Sequence, residues 1–69
     1  MNHIPVSSSN VSSIGYENGV LEVSFINKGS VYQYYNVPES VYNSLMNAYS
    51  KTTFLRQNIY GKYIERKIR

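Results

Sequence analysis

The sequence predicts an α+β fold in which a three-stranded antiparallel β-meander is followed by two α-helices packed on one face of the sheet. Between residue 11 and Pro38, apolar and polar side chains alternate in short runs separated by turn residues, which is typical of strands. After Pro38, apolar residues recur every three or four positions, which indicates amphipathic helices. A chain of 69 residues holds one small core, so we expect a single domain over residues 11–69, preceded by a flexible arm at residues 1–10.

The first hairpin is predicted by the pair Asn18-Gly19. Both residue types tolerate positive φ, as a two-residue type I′ turn requires. With these two residues as the loop, Tyr16 lies opposite Leu21, and Ile14 and Val23 also share the apolar face of the sheet.

The second turn, residues 27–30, leaves two registers open. A loop of two or four residues sets Val23 opposite Tyr34 and places both Tyr32 and Tyr34 on the core face. A three-residue loop shifts the parity by one and turns Gln33 inward instead. We favour the first register, because a buried Gln33 needs a hydrogen-bond partner.

Two helices are expected after Pro38, which suits a first helical position and ends the preceding strand. Residues 50–53 break the first helix, and Thr52 or Thr53 can cap the second, which continues toward the basic end of the chain with an interruption at Gly61. The predicted core comprises Ile14, Tyr16, Leu21, Val23, Phe25, Tyr32, Tyr34, Val41, Leu45, Ala48, Phe54, Ile59 and Tyr63.

The composition predicts a non-catalytic cytoplasmic protein. There is no cysteine and no aspartate, the four glutamates are scattered, and the single histidine, His3, falls in the expected flexible arm. Neither a catalytic group held in place nor a metal or cofactor site is therefore expected. The absence of cysteine fits a reducing compartment, and no stretch looks like a signal peptide or a membrane span. The initial Met1 suggests a complete small protein.

Two kinds of binding remain as hypotheses: contact with a protein partner and contact with RNA. Six of the seven lysine and arginine residues follow residue 50, and eight tyrosines are present. Tyrosine and arginine are favoured in protein interfaces, and aromatic rings with cations also grip single-stranded RNA. Self-association through the uncovered sheet face is a further expectation. The candidate contact residues are Tyr35, Tyr42, Tyr49, Arg56, Tyr60, Lys62, Arg66, Lys67 and Arg69, with Tyr32 and Tyr34 as a core or stacking pair.

The chain resembles the KTSC domain, a small domain named after the C-terminus of some lysyl-tRNA synthetases. The resemblance rests on Val11 to Ile14, Tyr16, Leu21, Val23, Phe25, Gly29, the pair Tyr32 and Tyr34, Asn36 to Pro38, Leu45, Ala48, Ser50, Ile59 and Tyr63. Lys51-Thr52 stands where relatives often have a glycine. The resemblance implies a stand-alone bacterial or phage protein with no established activity, for which RNA binding has been suggested by association with the synthetase.

Overall fold

The computed structural model describes all 69 residues and confirms the α+β fold, with a sheet that is larger than predicted. Five antiparallel strands lie in the order β1-β2-β3-β4-β5, and both helices pack on one face. The strands are β1 (His3–Pro5), β2 (Val11–Glu17), β3 (Val20–Phe25), β4 (Val31–Tyr34) and β5 (Glu65–Lys67). The helices are α1 (Glu39–Asn47) and α2 (Lys51–Asn58), and a 3-10 turn covers Asn27–Gly29.

The first hairpin has the predicted register. Asn18 and Gly19 adopt φ values of 51° and 81°, the positive angles of a type I′ turn. Tyr16 pairs with Leu21, and Ile14 pairs with Val23. Two residues are therefore sufficient to fix the pairing of the two central strands.

The predicted face of the Tyr32 and Tyr34 strand is confirmed, although its pairing is shifted by two residues. Tyr34 lies opposite Leu21 rather than Val23, because the turn consists of residues 26–29, closed by the hydrogen bond from the Phe25 N–H to the Ser30 carbonyl, and not of residues 27–30. Since a shift of two residues preserves side-chain parity, Tyr34 still points into the core, where it is 2% exposed. Gln33 lies on the opposite face of the sheet.

An irregularity at the start of β2 brings an unpredicted residue into the core. The pairing with β3 shifts between Val11 and Ser13, so one residue of β2 bulges out of the ladder. Val11 and Ile14 are three residues apart, yet both are fully buried. Strict alternation would have placed these two side chains on opposite faces.

The two helices are shorter than predicted. Helix α1 ends at Asn47, and Ala48 is in an extended conformation. Ala48 is therefore the one predicted core residue that neither belongs to the buried core nor packs against it. Ser50, rather than a threonine, caps α2 by accepting a hydrogen bond from the N–H of Thr53 at 3.2 Å. Leu55, which the sequence pattern missed, is fully buried on the inner side of α2.

Both ends of the chain form edge strands, which corrects two predictions. Residues 3–5 belong to strand β1, which pairs with β2, whereas a flexible arm was predicted there. Residues 65–67 form strand β5 beside β4, whereas the second helix was expected to continue. Helix α2 ends at Asn58, and a turn that includes Gly61, whose φ is 76°, then leads toward β5.

The main core consists of nine buried residues: Val11, Ile14, Leu21, Val23, Tyr34, Val37, Leu45, Leu55 and Ile59. The other predicted aromatic residues pack around this cluster and are half-buried. Tyr16 closes one end of it, since its ring stacks on Tyr42 at 4.7 Å and its hydroxyl donates to the carbonyl of Val37 at 2.5 Å. Neither helix has the length and apolar character that crossing a bilayer requires.

Candidate functional site

One face of the sheet carries no helix, and we call it the uncovered face. The strand register places His3, Gly15, Glu22, Gln33 and Arg66 in one row across all five strands of this face. Four of these five residues are polar or charged. The row therefore forms a polar band across the middle of the sheet.

The polar row is held together by short hydrogen bonds. The Glu22 carboxylate accepts from His3 Nε2 at 2.5 Å and from Gln33 Nε2 at 2.7 Å. Ser13 Oγ lies 2.8 Å from His3 Nδ1, and the Tyr35 hydroxyl donates to Gln33 Oε1 at 2.7 Å. Because a carboxylate only accepts, His3 Nε2 carries the hydrogen in this arrangement. The five side chains form one connected network.

Gly15 allows His3 to reach Glu22 from the edge strand. The imidazole lies across the glycine, and a Cβ atom at position 15 would stand 2.7 Å from His3 Cδ2 and 2.9 Å from the sulfur of Met1. Neither distance is compatible with a side chain at this position unless strand β1 moves. The glycine and the histidine therefore belong to one structural unit.

Glu22 is the anion at the centre of the uncovered face. The hydrogen bond from Gln33 is the largest influence and lowers the pKa of Glu22 below its ordinary value of 4.5. Partial burial acts in the opposite direction, whereas the hydrogen bond from His3 and the positive charges nearby also lower the pKa. Glu22 is thus ionised at neutral pH.

His3 is held in place, which corrects the expectation that it lies in a flexible arm. Ser13, His3 and Glu22 are connected in the order of the nucleophile, base and acid of a hydrolase. Such chemistry also needs a concave site and free N–H donors for an oxyanion. Ser13 instead lies on the flat face of β2, whose backbone pairs with strands on both sides. We interpret the network as a tether for β1.

Apolar side chains border the polar row at the β4–β5 edge. The N–H of Tyr35 donates to the carbonyl of Ile64 at 3.0 Å, so these two residues are neighbours, and Ile64 is 72% exposed. At the other end of the strand, the N–H of Ile68 donates to the carbonyl of Val31 at 2.7 Å. Alternation along β5 carries Ile64, Arg66 and Ile68 to the uncovered face.

The helix side of the sheet contains a concave feature, which we call the aromatic groove. It is an open groove of about 490 Å³ beside strands β4 and β5. Its apolar walls are Phe25, Tyr32, Tyr34 and Tyr60, and its polar lining is Asn10, Asn27, Ser30 and Glu65. Phe25 meets Tyr32 edge-to-face at 5.8 Å, and the rings of Tyr34 and Tyr60 are 6.1 Å apart.

The hydroxyls of Tyr34 and Tyr60 in the aromatic groove are neutral. Burial, reinforced by the nearby Glu65 carboxylate, raises the pKa of both Tyr34 and Tyr60 above the usual value for tyrosine. Both phenols therefore keep their hydrogens and can donate hydrogen bonds at the groove. Glu65 is the only acidic residue among the lining residues.

The structure places the four candidate contact tyrosines, Tyr35, Tyr42, Tyr49 and Tyr60, on different surfaces. Tyr35 lies on the uncovered face, and Tyr60 lines the aromatic groove. Tyr42 stacks on Tyr16 at the end of the core. Tyr49 is fully exposed in the connection between the two helices.

The basic candidates are likewise distributed over several surfaces. Arg56 is on α2, Lys62 is in the turn after it, and Arg69 follows β5. Arg66 and Lys67 occupy opposite faces of β5, because they pair with Gln33 and Tyr32 respectively. No lysine or arginine forms an ion pair with a carboxylate.

The sequence pattern indicates neither the His3–Glu22–Gln33 network nor the aromatic groove. The network depends on a strand, β1, that has no strong sequence signal. The groove joins residues from β3, β4, β5 and the turn after α2, which only the fold brings together. No group of three histidine, cysteine or acidic side chains is arranged to hold a metal ion.

These features define a small α+β module with one open, preorganised sheet face. The KTSC domain family matches residues 7–63, and the chain belongs to this family. Among solved structures, the chain is similar to the KTSC domain protein YPO2434 from Yersinia pestis, known from a crystal structure. The two share 44% sequence identity and superpose with a TM-score of 0.93, over 99% of this chain and 97% of the other. No protein in the curated set matches the chain significantly.

Proposed function

We propose that this chain is a small non-catalytic module that binds a protein partner on the uncovered face, in the cytoplasm. The observation that supports this proposal is the half-buried Tyr35 together with the exposed Ile64 and Arg66, beside an ordered polar row. Tyrosine and arginine are the residues that most often anchor protein interfaces. An exposed isoleucine beside them offers apolar area that a partner would remove from water.

The hydrogen-bond network favours a partner that needs a rigid surface. The ring of Tyr35 is fixed by Gln33, which is fixed in turn by Glu22. Side chains that are already ordered lose little conformational entropy when they enter an interface. The uncovered face therefore offers preorganised hydrogen-bonding groups together with apolar contact area.

The charges on the uncovered face support a protein partner over a nucleic acid there. Glu22 places a negative charge at the centre of the face, and it would repel a phosphate backbone. Arg66 is the one lysine or arginine in the polar row, and Tyr35 is the one tyrosine beside it. Single-stranded nucleic acid is usually bound by several stacked rings within a basic groove.

Site-specific photocrosslinking tests the proposed face. A benzoylphenylalanine residue would replace Ile64 in one variant and, as a matched control, the fully exposed Tyr49 in another. We expect a discrete protein adduct in cells from position 64, absent from position 49 and unaffected by ribonuclease. Reconstitution with the purified adduct partner should then lose affinity at least tenfold when Tyr35 and Arg66 are both replaced by alanine. Equal labelling at both positions would refute the assignment.

RNA is a second candidate, and the aromatic groove is the observation that favours it. Tyr32 and Tyr60 offer rings on which a base could stack, and Lys67 shares that face of the sheet. Glu65 could accept a hydrogen bond from a base amino group. The unpaired cations are available for phosphates.

The salt dependence of binding distinguishes the RNA hypothesis from the protein-partner hypothesis. Binding to a fluorescent single-stranded RNA should weaken steeply between about 50 and 200 mM salt if several phosphates are contacted. Replacing Tyr60 by alanine should weaken this binding, whereas the same change at Tyr49 should not. The absence of any RNA binding at low salt would remove this candidate.

A further inference from the structure

Strand β5 has a free edge whose sequence complements itself. The sheet has two edges, β1 and β5. The edge strand β1 contains Pro5, which has no N–H to donate to an additional strand. Strand β5 contains no proline, and all three of its residues are exposed. An unprotected edge is a template for pairing with another strand.

The backbone groups available on β5 belong to Glu65 and Lys67. Ile64 accepts from the N–H of Tyr35 in β4, and Ile68 donates to the carbonyl of Val31, so these even-numbered residues face β4. In an antiparallel ladder, alternate residues direct their N–H and C=O groups to opposite sides of the strand. The hydrogen-bonding groups of Glu65 and Lys67 therefore face away from the sheet.

We propose that two copies of this chain pair antiparallel along β5, with Glu65 of each copy opposite Lys67 of the other, to form one continuous ten-stranded sheet. This proposal is independent of the proposed function. The edge fits a second copy of the chain. When the second copy runs antiparallel, its Lys67 lies opposite Glu65 and its Glu65 lies opposite Lys67, so the charges of the two strands are complementary.

One symmetric register pairs Glu65 with Lys67 across the two strands. Since Glu65 and Lys67 carry the outward backbone groups, a twofold axis can place Glu65 opposite Glu65, Lys67 opposite Lys67, or Glu65 opposite Lys67. The first two registers place like charges directly across the strands, which is destabilising. The third forms two opposite-charge pairs on the side of the aromatic groove. It also sets the exposed Ile64 opposite Ile68 of the second copy.

One contact in this register is unfavourable. Arg66 lies on the twofold axis opposite its own counterpart, so two positive charges meet on the uncovered face. The paired edge is also short, so its buried area falls below the roughly 1,200 Å² of standard stable interfaces. We therefore expect a weak dimer, which forms as the concentration rises.

A charge exchange tests the register. Sedimentation velocity would follow the wild type from about 10 μM to 1 mM, and the weight-average mass should rise toward that of a dimer. Glu65→Lys and Lys67→Glu should each remain monomeric, because each places like charges opposite one another. An equimolar mixture of the two variants should associate, because their opposed pairs are complementary. The double variant carrying both changes should dimerise like the wild type.

Two further variants complete the test. Lys62→Glu changes the net charge by the same amount as Lys67→Glu but lies outside β5, so its dimerisation should equal or exceed that of the wild type. Arg66→Gln should tighten the dimer at least threefold, because it removes the like-charge pair on the axis. Circular dichroism would establish that each variant is folded.

Several results would overturn the proposal. A wild-type mass that stays monomeric at 1 mM would do so, as would a mixture of Glu65→Lys and Lys67→Glu that fails to associate. A dimer that persists in both single variants would place the contact elsewhere. Arg66→Gln also separates the two proposals, since it should strengthen self-association while it weakens a partner bound on the uncovered face.

Discussion

Replacing Tyr34 by alanine should destabilise the protein far more than the same replacement at Tyr35. The two tyrosines are adjacent in sequence, but Tyr34 lies in the core at 2% exposure and Tyr35 lies on the uncovered face. Truncation of a buried large aromatic side chain costs about 3–5 kcal/mol, through lost burial and the cavity left behind. Truncation of Tyr35 removes one hydrogen bond to Gln33 and partly exposed area, which is worth about 1 kcal/mol.

The expected loss at Tyr34 is large relative to the total stability. At about 0.05–0.15 kcal/mol per residue, a domain of this size has roughly 3–10 kcal/mol in all. A loss of about 4 kcal/mol corresponds to a fall in melting temperature of about 15–30 °C, since each kcal/mol shifts a domain of this size by about 4–8 °C. The Tyr34→Ala variant should thus retain at most about 6 kcal/mol of stability.

Urea denaturation followed by far-ultraviolet circular dichroism, together with thermal melting, measures both variants. Tyr34→Phe serves as an additional control, because it keeps the buried ring and removes only the hydroxyl. The reasoning would fail if Tyr34→Ala cost less than about 1 kcal/mol, or if Tyr35→Ala cost as much as Tyr34→Ala. Either result would mean that the strand presents its other face to the core.

Three further predictions concern the contact between Gly15 and His3, the charge of Glu22 and the cap of helix α2. Gly15→Ala should displace His3 and release β1, with a loss of about 1–3 kcal/mol and faster amide exchange in residues 3–5. Because the folded-state pKa of Glu22 is lowered, its contribution to stability is fully present above pH 4.5 and is lost as the pH falls through the folded-state pKa. The stability of Glu22→Gln should therefore fall less than that of the wild type between pH 6 and 3, as measured by urea midpoints, and identical slopes would contradict the assignment. Ser50→Ala should cost about 1 kcal/mol in the same assay through loss of the helix cap, and an unchanged midpoint would show that the cap does not stabilise α2.

Local signals in the sequence were sufficient to predict how β2 pairs with β3 and which face of β4 points into the core. Asn18-Gly19 determines the pairing of β2 and β3, because only a few residue types accept two successive positive φ angles. The need to satisfy Gln33 correctly predicted which face of β4 points inward, and Glu22 turned out to be its partner on the opposite face. These predictions depend on residues close together in the chain.

The edges of the sheet and the candidate site could not be predicted in the same way. Strand β5 consists of Glu65, Arg66 and Lys67, which have no apolar alternation, and it exists because β4 offers an unpaired edge beside it. The position of Val11 depends on a bulge that alternation does not reveal. The His3–Glu22 contact joins residues that are 19 positions apart, and it required the register of three strands.

The order of strands in the sheet has a consequence for how the chain assembles. The pairs β1–β2, β2–β3 and β3–β4 each join strands that are close together in the chain. Their contacts can form as soon as the second strand of each pair leaves the ribosome. Strand β5 pairs with β4 only after both helices have been synthesised, and about thirty residues separate the two strands. During that interval the backbone of β4 and the floor of the aromatic groove are open to water and to other chains. The last step of folding is therefore the one that closes this edge, and it is the step that a chaperone or a competing strand would intercept.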